Sequence, residues 1–333
     1  MKALDQAATL RARRTPDERS RLPHRVKRIL AVSGGKGGVG KSSLSVNLAA
    51  LYACRGERTI ILDGDFAMAD LNLLLGVAPS RSVLDVLQGE SVDSVLVQAH
   101  GIFLLPGLNG SHQLANFDGM LRTGLRRILQ ELVVDFDTIV IDTAAGVDDT
   151  TMGLVASATD VILVVNAEPL SLADAYAALK ILKTRHGVNR VLIAPNNVQS
   201  EQESETLLQQ LRALVDRFLG IEVVNLPSVP FDGQLNAACA AGIPLVMARP
   251  DAPASRALCR MVQKIDGLTL DDIDASARGS TAKVGSPTSE AGSGGATVGA
   301  ARPGSTTHVR GTPSDVAVLE RPGDASGARS RPE

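Results

Sequence analysis

The chain has 333 residues, a formal charge of −2 and 44% hydrophobic residues, which is enough for one large domain or two small ones. A charge this close to zero provides no overall attraction to nucleic acid or anionic lipid. Cys54, Cys239 and Cys259 lack C-x-x-C spacing, so neither a disulfide framework nor an iron–sulfur or zinc site is indicated. The N-terminus lacks the apolar core of a signal peptide, and no apolar stretch approaches bilayer-spanning length. These features predict a cytoplasmic protein.

Residues 1–24 form the first predicted segment, a basic arm. Up to residue 28 the basic residues are Lys2, Arg11, Arg13, Arg14, Arg19, Arg21, Arg25, Lys27 and Arg28, against the acidic residues Asp5, Asp17 and Glu18. Such an arm binds a protein, a membrane or a phosphate group.

A glycine-rich loop follows the first predicted strand, Ile29 to Ser33, and leads into a helical stretch, Val39 to Cys54. It fits G-x-x-x-x-G-K-[ST], in which glycines let backbone N–H groups face phosphate oxygens at a helix N-terminus. We expect Lys41 to contact the β- and γ-phosphates and Ser42 to ligate Mg²⁺. The alternative is an ordinary glycine-rich turn. The predicted nucleotide-binding residues are Gly35, Gly37, Gly38, Val39, Gly40, Lys41, Ser42 and Ser43.

A second lysine in this loop, Lys36, stands where the pattern K-G-G-V-G-K-[ST] carries its extra lysine. The loop therefore resembles the deviant Walker A motif of the MinD/ParA ATPases. In that family this lysine reaches across a dimer interface to the partner's nucleotide. The resemblance implies an ATP-sandwiched homodimer with a catalytic role for Lys36; the alternative is a solvated loop charge.

Two aspartates end the second predicted strand, Thr59 to Asp63, in the sequence Leu62-Asp63-Gly64-Asp65. This places both carboxylates at the carboxyl edge of the sheet, where doubly wound folds bind ligands. The MinD/ParA family has D-x-D here. The resemblance implies that Asp63 helps to hold the Mg²⁺ shell and that Asp65 orients the attacking water. The alternative is a pair of loop carboxylates that cap the next helix.

A third aspartate, Asp142, ends the apolar strand Thr138 to Asp142 and precedes small residues. This is the Walker B pattern, in which Asp142 acts on Mg²⁺ through water and the Gly146 backbone senses the γ-phosphate. Thr143 to Thr150 is then the predicted switch. The alternative is a buried strand followed by an ordinary turn.

An asparagine pair follows the strand Val191 to Pro195. The segment Asn196 to Glu201 resembles the family segment whose asparagine reads the adenine edge. An asparagine offers a donor and an acceptor together, which matches adenine. The resemblance implies this role for Asn196 in preference to Asn197; the alternative is a helix cap or a loop residue.

Short β-branched runs alternate with longer amphipathic runs over residues 25–270. Further predicted strands are Ile102 to Leu105, Val161 to Asn166 and Glu222 to Leu226, and predicted helices include Leu121 to Val133, Ser171 to His186 and Ser204 to Phe218. Apolar runs without alternation indicate strands buried on both faces. The pattern predicts one α/β domain with a single doubly wound, mostly parallel sheet, and the resemblance implies a P-loop NTPase of the SIMIBI class.

Residues 271–333 have no Phe, Tyr, Trp or Cys and are rich in Gly, Ser, Thr, Ala, Pro and Arg. Such a segment buries too little apolar surface to offset its ordering entropy, so a disordered tail is predicted. After Gly267 the chain reads LTLDDID, which is acidic and lacks aromatic residues. A membrane-binding basic amphipathic helix is therefore not indicated. For Ser255 to Ile265, core packing is the favoured interpretation.

Several segments resemble the flagellar-number regulators called FlhG or FleN more than MinD or ParA: Leu62 to Gly76, Ile102 to Gly107, Glu168 to Lys180 and Ser228 to Asp232. In the arm, Asp5 to Arg11 (DQAATLR) resembles the D-Q-A-x-x-L-R element with which these regulators stimulate the GTPase FlhF. The resemblance implies partner contacts through Asp5, Gln6, Leu10 and Arg11. The alternative is a solvated basic arm.

The sequence thus predicts a slow, Mg²⁺-dependent ATPase switch that dimerises with ATP and regulates flagellar number or placement. The expected partners are an FlhF-type GTPase and a flagellar transcription activator or flagellar switch proteins, with no specific nucleic acid. A peripheral position at the inner face of the membrane or at the cell pole is an alternative to a purely cytoplasmic one. Two other functions stay open: a positioning ATPase in division or DNA segregation, and a nucleotide-gated adaptor that restrains a transcription activator without turnover.

Overall fold

The computed structural model describes residues 28–66, 69–107 and 118–281. Its strands are β1 (Arg28–Ser33), β2 (Thr59–Gly64), β3 (Val97–Ala99), β4 (Ile102–Leu105), β5 (Thr138–Thr143), β6 (Asp160–Val165), β7 (Arg190–Val198), β8 (Glu222–Asn225) and β9 (Val229–Pro230). Its helices are α1 (Lys41–Cys54), α2 (Leu71–Leu74), α3 (Val83–Leu87), α4 (Val92–Val95), α5 (Asp118–Asp135), α6 (Asp149–Val155), α7 (Pro169–His186), α8 (Glu201–Phe218), α9 (Gly233–Ala240), α10 (Leu245–Ala248) and α11 (Pro253–Thr281).

One sheet organises these elements. Its strands lie in the order β3-β4-β2-β5-β1-β6-β7-β8, with β9 beside β7. All pairs are parallel except β3 with β4. The α/β class and the mostly parallel sheet predicted from the sequence are confirmed, and each predicted strand is present. Two short strands were not predicted, β3 and β9, because neither carries a long apolar run.

The central strands are buried on both faces, as their unbroken apolar runs indicated. In β1, Leu30 and Val32 point into one hydrophobic cluster with α1 and α11, while Ala31 points into the other. That second cluster contains the apolar faces of α5, α6, α7 and α8. Because side chains alternate along a strand, each residue of β1 belongs to one layer only. Helices therefore pack against both faces of the sheet.

The last helix, α11, covers one face of the sheet. Leu258, Met261 and Val262 are at most 2% exposed, as core packing of Ser255 to Ile265 requires. The helix continues to Thr281, past the predicted domain boundary at Leu270, without interruption at Gly267. The rest of the predicted tail lies outside the described residues, as does the whole arm with Asp5, Gln6, Leu10 and Arg11.

An ionic cluster joins α11 to the start of β1. The Arg28 guanidinium donates to the Tyr52 hydroxyl at 3.0 Å and pairs with Asp266, which also pairs with Arg55. Arg28 lies over the Tyr52 ring, 4.7 Å from its centroid. Burial and the Arg28 contacts act in opposite directions on the Tyr52 hydroxyl, and burial prevails, so its pKa is raised. This cluster fixes the amino end of β1.

Candidate functional site

The glycine-rich loop of residues 34–40, here called the phosphate loop, lies between β1 and α1. Gly38 and Gly40 have φ of 79° and 92°, the left-handed region that favours glycine. Gly40 is the N-cap of α1, and it has no side chain to occupy the first free N–H groups of the helix. These donors therefore stay available to an anion. All the predicted nucleotide-binding residues of this motif lie in the loop or in the first turn of α1.

Close packing fixes the path of the loop. A Cβ on Gly35 would lie 2.3 Å from the backbone carbon of Asp174 in α7, and a Cβ on Gly40 would lie 2.2 Å from the Asn196 amide nitrogen. The Asn196 amide also donates to the carbonyl oxygen of Val39 at 2.8 Å. The loop thus lies between α7 and the end of β7, and at Gly35 and Gly40 a side chain does not fit unless a neighbour moves.

Lys41 is folded back against its own loop. Its ammonium donates to the Lys36 carbonyl oxygen at 3.3 Å, and the residue is 7% exposed. Burial lowers the pKa of Lys41, and the charges of Asp142 and Asp65 act in the opposite direction. A buried ammonium with one backbone acceptor is strongly stabilised by a hydrogen bond to a phosphate oxygen.

Lys36 is paired within its own protomer. Its ammonium lies against Glu168, whose other carboxylate oxygen accepts from the Asn166 amide at 3.2 Å. The hydrogen bond from Lys36 lowers the pKa of the Glu168 carboxyl. Glu168 is the N-cap residue of α7 but makes no side-chain cap bond. Its carboxylate is therefore directed to the lysine rather than to the helix.

Asp63 and Asp142 are neighbours across β2 and β5, since they are register partners in the parallel pair. Both are at most 1% exposed. The Asp63 carboxylate accepts from the backbone N–H of Asp65 at 3.2 Å and of Leu71 at 3.4 Å. The Asp142 carboxylate accepts from the Ser45 hydroxyl at 2.8 Å. Burial raises the pKa of both carboxyls, and for Asp63 the Asp142 charge raises it further.

A magnesium ion fits this arrangement. The second carboxylate oxygen of Asp142 is buried and has no hydrogen-bond partner, although buried oxygens normally have one. The nearby Ser42 hydroxyl lowers the pKa of Asp142 against the effect of burial. Mg²⁺ prefers such hard oxygen donors and keeps several waters and phosphate oxygens. Ser42, Asp63 and Asp142 are the residues that would hold the ion and its waters. When bound, the ion would neutralise phosphate charge.

Around the same edge lie Asp65, predicted to orient the attacking water, Gly146, predicted to sense the γ-phosphate, and the predicted switch. Asp65 is half-buried, and its charge acts on Lys41. Gly146 has φ of 112° and open space around it, so its backbone is accessible to a ligand. Thr143 donates to the Val32 carbonyl oxygen at 3.0 Å, and Asp148 caps α6. The predicted switch therefore joins the Walker B strand directly to α6.

The two asparagines after β7 have different environments. Asn196 is 7% exposed and faces the phosphate loop. Asn197 is exposed and has φ of 59°. The geometry favours Asn196 over Asn197 as the inward residue. Its amide N–H₂ is engaged by Val39, and the reading of adenine stays a prediction.

Two residues of the site were missed by the sequence reasoning. Ser45 lies one helical turn beyond Ser42, and this spacing was a usable signal. Glu168 carried no such signal, because it reads as an ordinary helix N-cap.

No helix in the described ranges combines the length and the apolar character that crossing a bilayer requires.

The family model "ParA: NUBPL iron-transfer P-loop NTPase" matches residues 25–266. The chain is 36% identical over 244 residues to the Antiactivator FleN of Pseudomonas aeruginosa, covering 73% of this chain and 87% of FleN. It is 29% identical over 188 residues to the Flagellum site-determining protein YlxH of Helicobacter pylori, covering 55% of this chain and 63% of YlxH.

Among solved structures, the septum site-determining protein MinD complexed with Mg-ADP from Pyrococcus horikoshii has a TM-score of 0.61 and 26% identity. The match covers 73% of this chain and 97% of that one. Together with the phosphate loop and the buried aspartates, whose oxygen donors fit magnesium, these likenesses define the nucleotide chemistry. The chain belongs to the MinD/ParA family of P-loop NTPases, and it is an ATPase that uses ATP and Mg²⁺.

Proposed function

We propose that this ATPase is an ATP-dependent dimerising switch that sets the number or placement of flagella. The observation that carries the proposal is the 36% identity to an antiactivator, FleN, across most of both chains. The likeness to a flagellum site-determining protein supports the same process. The nucleotide site supplies the two states that a switch needs, one with the γ-phosphate and one without it.

In the proposed cycle, the phosphate loop and Lys41 bind ATP, and Ser42, Asp63 and Asp142 hold Mg²⁺ and its waters. Lys36 leaves Glu168 and contacts the nucleotide of a second protomer, which closes the dimer. Asp65 orients the attacking water. Gly146 senses the γ-phosphate and transmits its loss to α6 through the Thr143 to Thr150 segment. Hydrolysis then removes the contacts that held the dimer together.

The arm gives the proposal its most specific partner. We infer from the resemblance of Asp5 to Arg11 that this element stimulates an FlhF-type GTPase. If this stretch were helical, Ala3, Ala7 and Leu10 would share one side of it, and a helix this short is not stable alone in water. It would therefore fold against its partner.

Flagellar counting tests the main proposal. The gene is deleted in its host, and flagella are counted by electron microscopy after complementation with wild type, Lys36→Ala or Asp65→Ala. We expect the deletion to change the number or position of flagella, wild type to restore it and Lys36→Ala to fail. Unchanged flagella in the deletion strain would refute the flagellar role and favour a positioning ATPase in division or DNA segregation.

GTP turnover tests the arm separately. A peptide of residues 1–20 is added in excess to the cognate GTPase, and a Gln6→Ala, Leu10→Ala peptide serves as the matched control. Acceleration by the first peptide alone supports the role of the arm. Equal rates with both peptides exclude that role and leave the ATPase switch standing.

An adaptor that restrains a transcription activator is the second candidate, since the word antiactivator in the name of FleN favours it. Such an adaptor needs ATP binding but not turnover. Asp65→Ala separates the two, because it is expected to bind ATP without hydrolysing it. Normal flagellar control in that variant would favour the adaptor over the cycling switch.

A further inference from the structure

Ser45 is a fully buried serine in α1, with an exposed fraction of 0%. Its hydroxyl oxygen lies 2.8 Å from Oδ1 of Asp142 and 3.0 Å from the carbonyl oxygen of Lys41. Lys41 and Ser45 are four positions apart, so one face of the helix carries both, and α1 packs against β5. The helix therefore brings the loop lysine and a buried hydroxyl group to the strand that carries Asp142.

The single hydrogen of this hydroxyl is directed to Asp142. A serine donates one hydrogen bond, and its two acceptors are not equivalent. The Lys41 carbonyl lies four residues earlier in the helix, so it also faces the backbone N–H of Ser45. The Asp142 oxygen is the nearer acceptor, and a hydrogen bond to an ionised carboxylate is roughly twice as strong as a neutral one. Ser45 is therefore a donor to the ionised Asp142 carboxylate.

The two carboxylate oxygens of Asp142 have different surroundings. Oδ1 is held by Ser45, while Oδ2 is buried and has no hydrogen-bond partner. The backbone of Asp142 is fixed on both sides, since its register partners are Val32 in β1 and Asp63 in β2. The freedom that remains is rotation of the carboxylate about its bond to Cβ, a torsion with only broad preferences. A hydrogen bond at Oδ1 restricts this rotation and so sets where Oδ2 lies.

We propose that Ser45 is a positioning residue for magnesium, because its hydroxyl holds Oδ1 of Asp142 and so keeps Oδ2 directed to the waters of the ion. Removal of a group that orients a metal-binding residue typically lowers metal affinity by about 10-fold to 100-fold. The low end of that range applies, because Asp142 is expected to reach the ion through water. The inference rests on Asp142 as a residue of the magnesium site, not on the flagellar role.

Magnesium titration of ADP binding tests this positioning role. ADP affinity is measured by calorimetry over a range of Mg²⁺ concentrations and again in EDTA, for wild type, Ser45→Ala and Ser45→Cys. We expect Ser45→Ala to need about 10-fold more Mg²⁺ for the same ADP affinity, with unchanged affinity in EDTA. Ser45→Cys should be intermediate, because a thiol is a weaker donor than a hydroxyl. Should Ser45→Ala not fold, Ser45→Cys carries the same comparison.

Thr138→Val is the matched control. Thr138 lies at the other end of β5, is also 0% exposed and donates from its hydroxyl to the Glu57 carboxylate. The variant removes a buried hydroxyl-to-carboxylate hydrogen bond at the edge of the sheet away from the phosphate loop. We expect a lower melting temperature with the Mg²⁺ dependence of wild type. The same shift in Thr138→Val and Ser45→Ala would attribute the shift to lost stability and overturn the proposal.

Asp142→Asn separates this inference from the assignment on which it rests. If Asp142→Asn shifts the Mg²⁺ dependence and Ser45→Ala does not, the inference is wrong while the Asp142 assignment stands. If Asp142→Asn shifts nothing, the assignment fails and the inference fails with it. The double variant should need no more Mg²⁺ than Asp142→Asn alone, since Ser45 acts through that carboxylate. Equal weakening of ADP binding by Ser45→Ala in Mg²⁺ and in EDTA would show that Ser45 shapes the phosphate loop instead, and would overturn the proposal.

Discussion

Lys36 and Glu168, which are 132 positions apart in the chain, form an ion pair within one protomer. Asn166 holds the Glu168 carboxylate from the other side at 3.2 Å. In the proposed dimer Lys36 contacts the nucleotide of a second protomer, so this pair must break first. The pair therefore holds Lys36 away from the contact that we propose for it in the dimer.

Glu168→Gln should promote ATP-dependent dimerisation modestly. The glutamate side chain is 56% exposed, and exposed pairs contribute little, so we expect the ATP concentration for half-maximal dimerisation to fall by about five-fold or less. Analytical ultracentrifugation over an ATP series measures this. Glu90→Gln, which breaks the exposed pair of Arg81 and Glu90 at 3.2 Å, is the matched control. A higher ATP requirement in Glu168→Gln would contradict the restraining role. Lys36→Ala should bind ATP and stay monomeric.

Lys41→Ala should lose nucleotide binding. The substitution removes a buried cation from a site that holds Asp63 and Asp142, and a charged hydrogen bond contributes about 3 kcal/mol at most, or about 100-fold in affinity. Isothermal calorimetry with ATP and Mg²⁺ measures the loss. An affinity close to that of wild type would place the phosphates away from α1.

Asp65→Ala should bind ATP and dimerise but hydrolyse slowly. The Mg²⁺ and phosphate contacts of Ser42 and Asp142 stay in place, while the carboxylate that orients water is lost, at an expected cost of about 100-fold in turnover. Phosphate release under single-turnover conditions measures it. Normal turnover would move the water-orienting role to another residue, with Asp63 as the first candidate.

The stability of the metal-free protein should fall as pH rises from about 4 to about 8. Burial raises the pKa of Asp63 to about 8, against an ordinary carboxyl pKa of about 4. Between these values the folded state binds more protons than the unfolded state, so the free energy of unfolding decreases with pH. Mg²⁺ with ADP favours the ionised carboxylates, so its stabilising effect should grow over the same window.

Both trends are measured by thermal unfolding with and without Mg²⁺ and ADP, at about pH 6 and about pH 8.5. This pH window follows from the raised pKa of Asp63. Asp63→Asn cannot ionise and should reduce the pH dependence of the metal-free protein, and the part that remains belongs to Asp142, whose pKa burial raises to about 7. Identical slopes for wild type and Asp63→Asn would show that this carboxyl does not titrate in the window.

Gly40→Ala should destabilise the fold by about 1–3 kcal/mol, since φ of 92° is strained for alanine and its Cβ would meet the Asn196 amide. Adding Asn196→Ala should recover part of the loss, because the steric term disappears while the dihedral strain stays. Urea unfolding of the two single variants and the double variant measures this coupling. Strict additivity would mean that the loop moves away from β7 at little cost.

The sequence predicted those features that depend on residues close together in the chain. The phosphate loop and the Walker B strand are local patterns, and the mostly parallel sheet follows from unbroken apolar runs. Asp63 and Asp142 were each expected to act on Mg²⁺, and the structure places them side by side across β2 and β5. What could not be predicted depends on the exact placement of distant elements.

Glu168 illustrates that limit. It precedes Pro169, the first residue of α7, so it reads as an ordinary N-cap. It reaches Lys36 only because the phosphate loop packs against α7. Its choice of Lys36 as partner is not encoded by residue type or spacing.

The cluster of Arg28, Tyr52 and Asp266 has a geometric consequence. β1 has six residues, or about 20 Å of extended chain, and it separates Arg28 from the phosphate loop. The ion pair of Arg28 and Asp266 and the phosphate loop therefore lie at opposite ends of the same strand, so a change in the nucleotide site reaches the Asp266 end of α11 only through the length of β1.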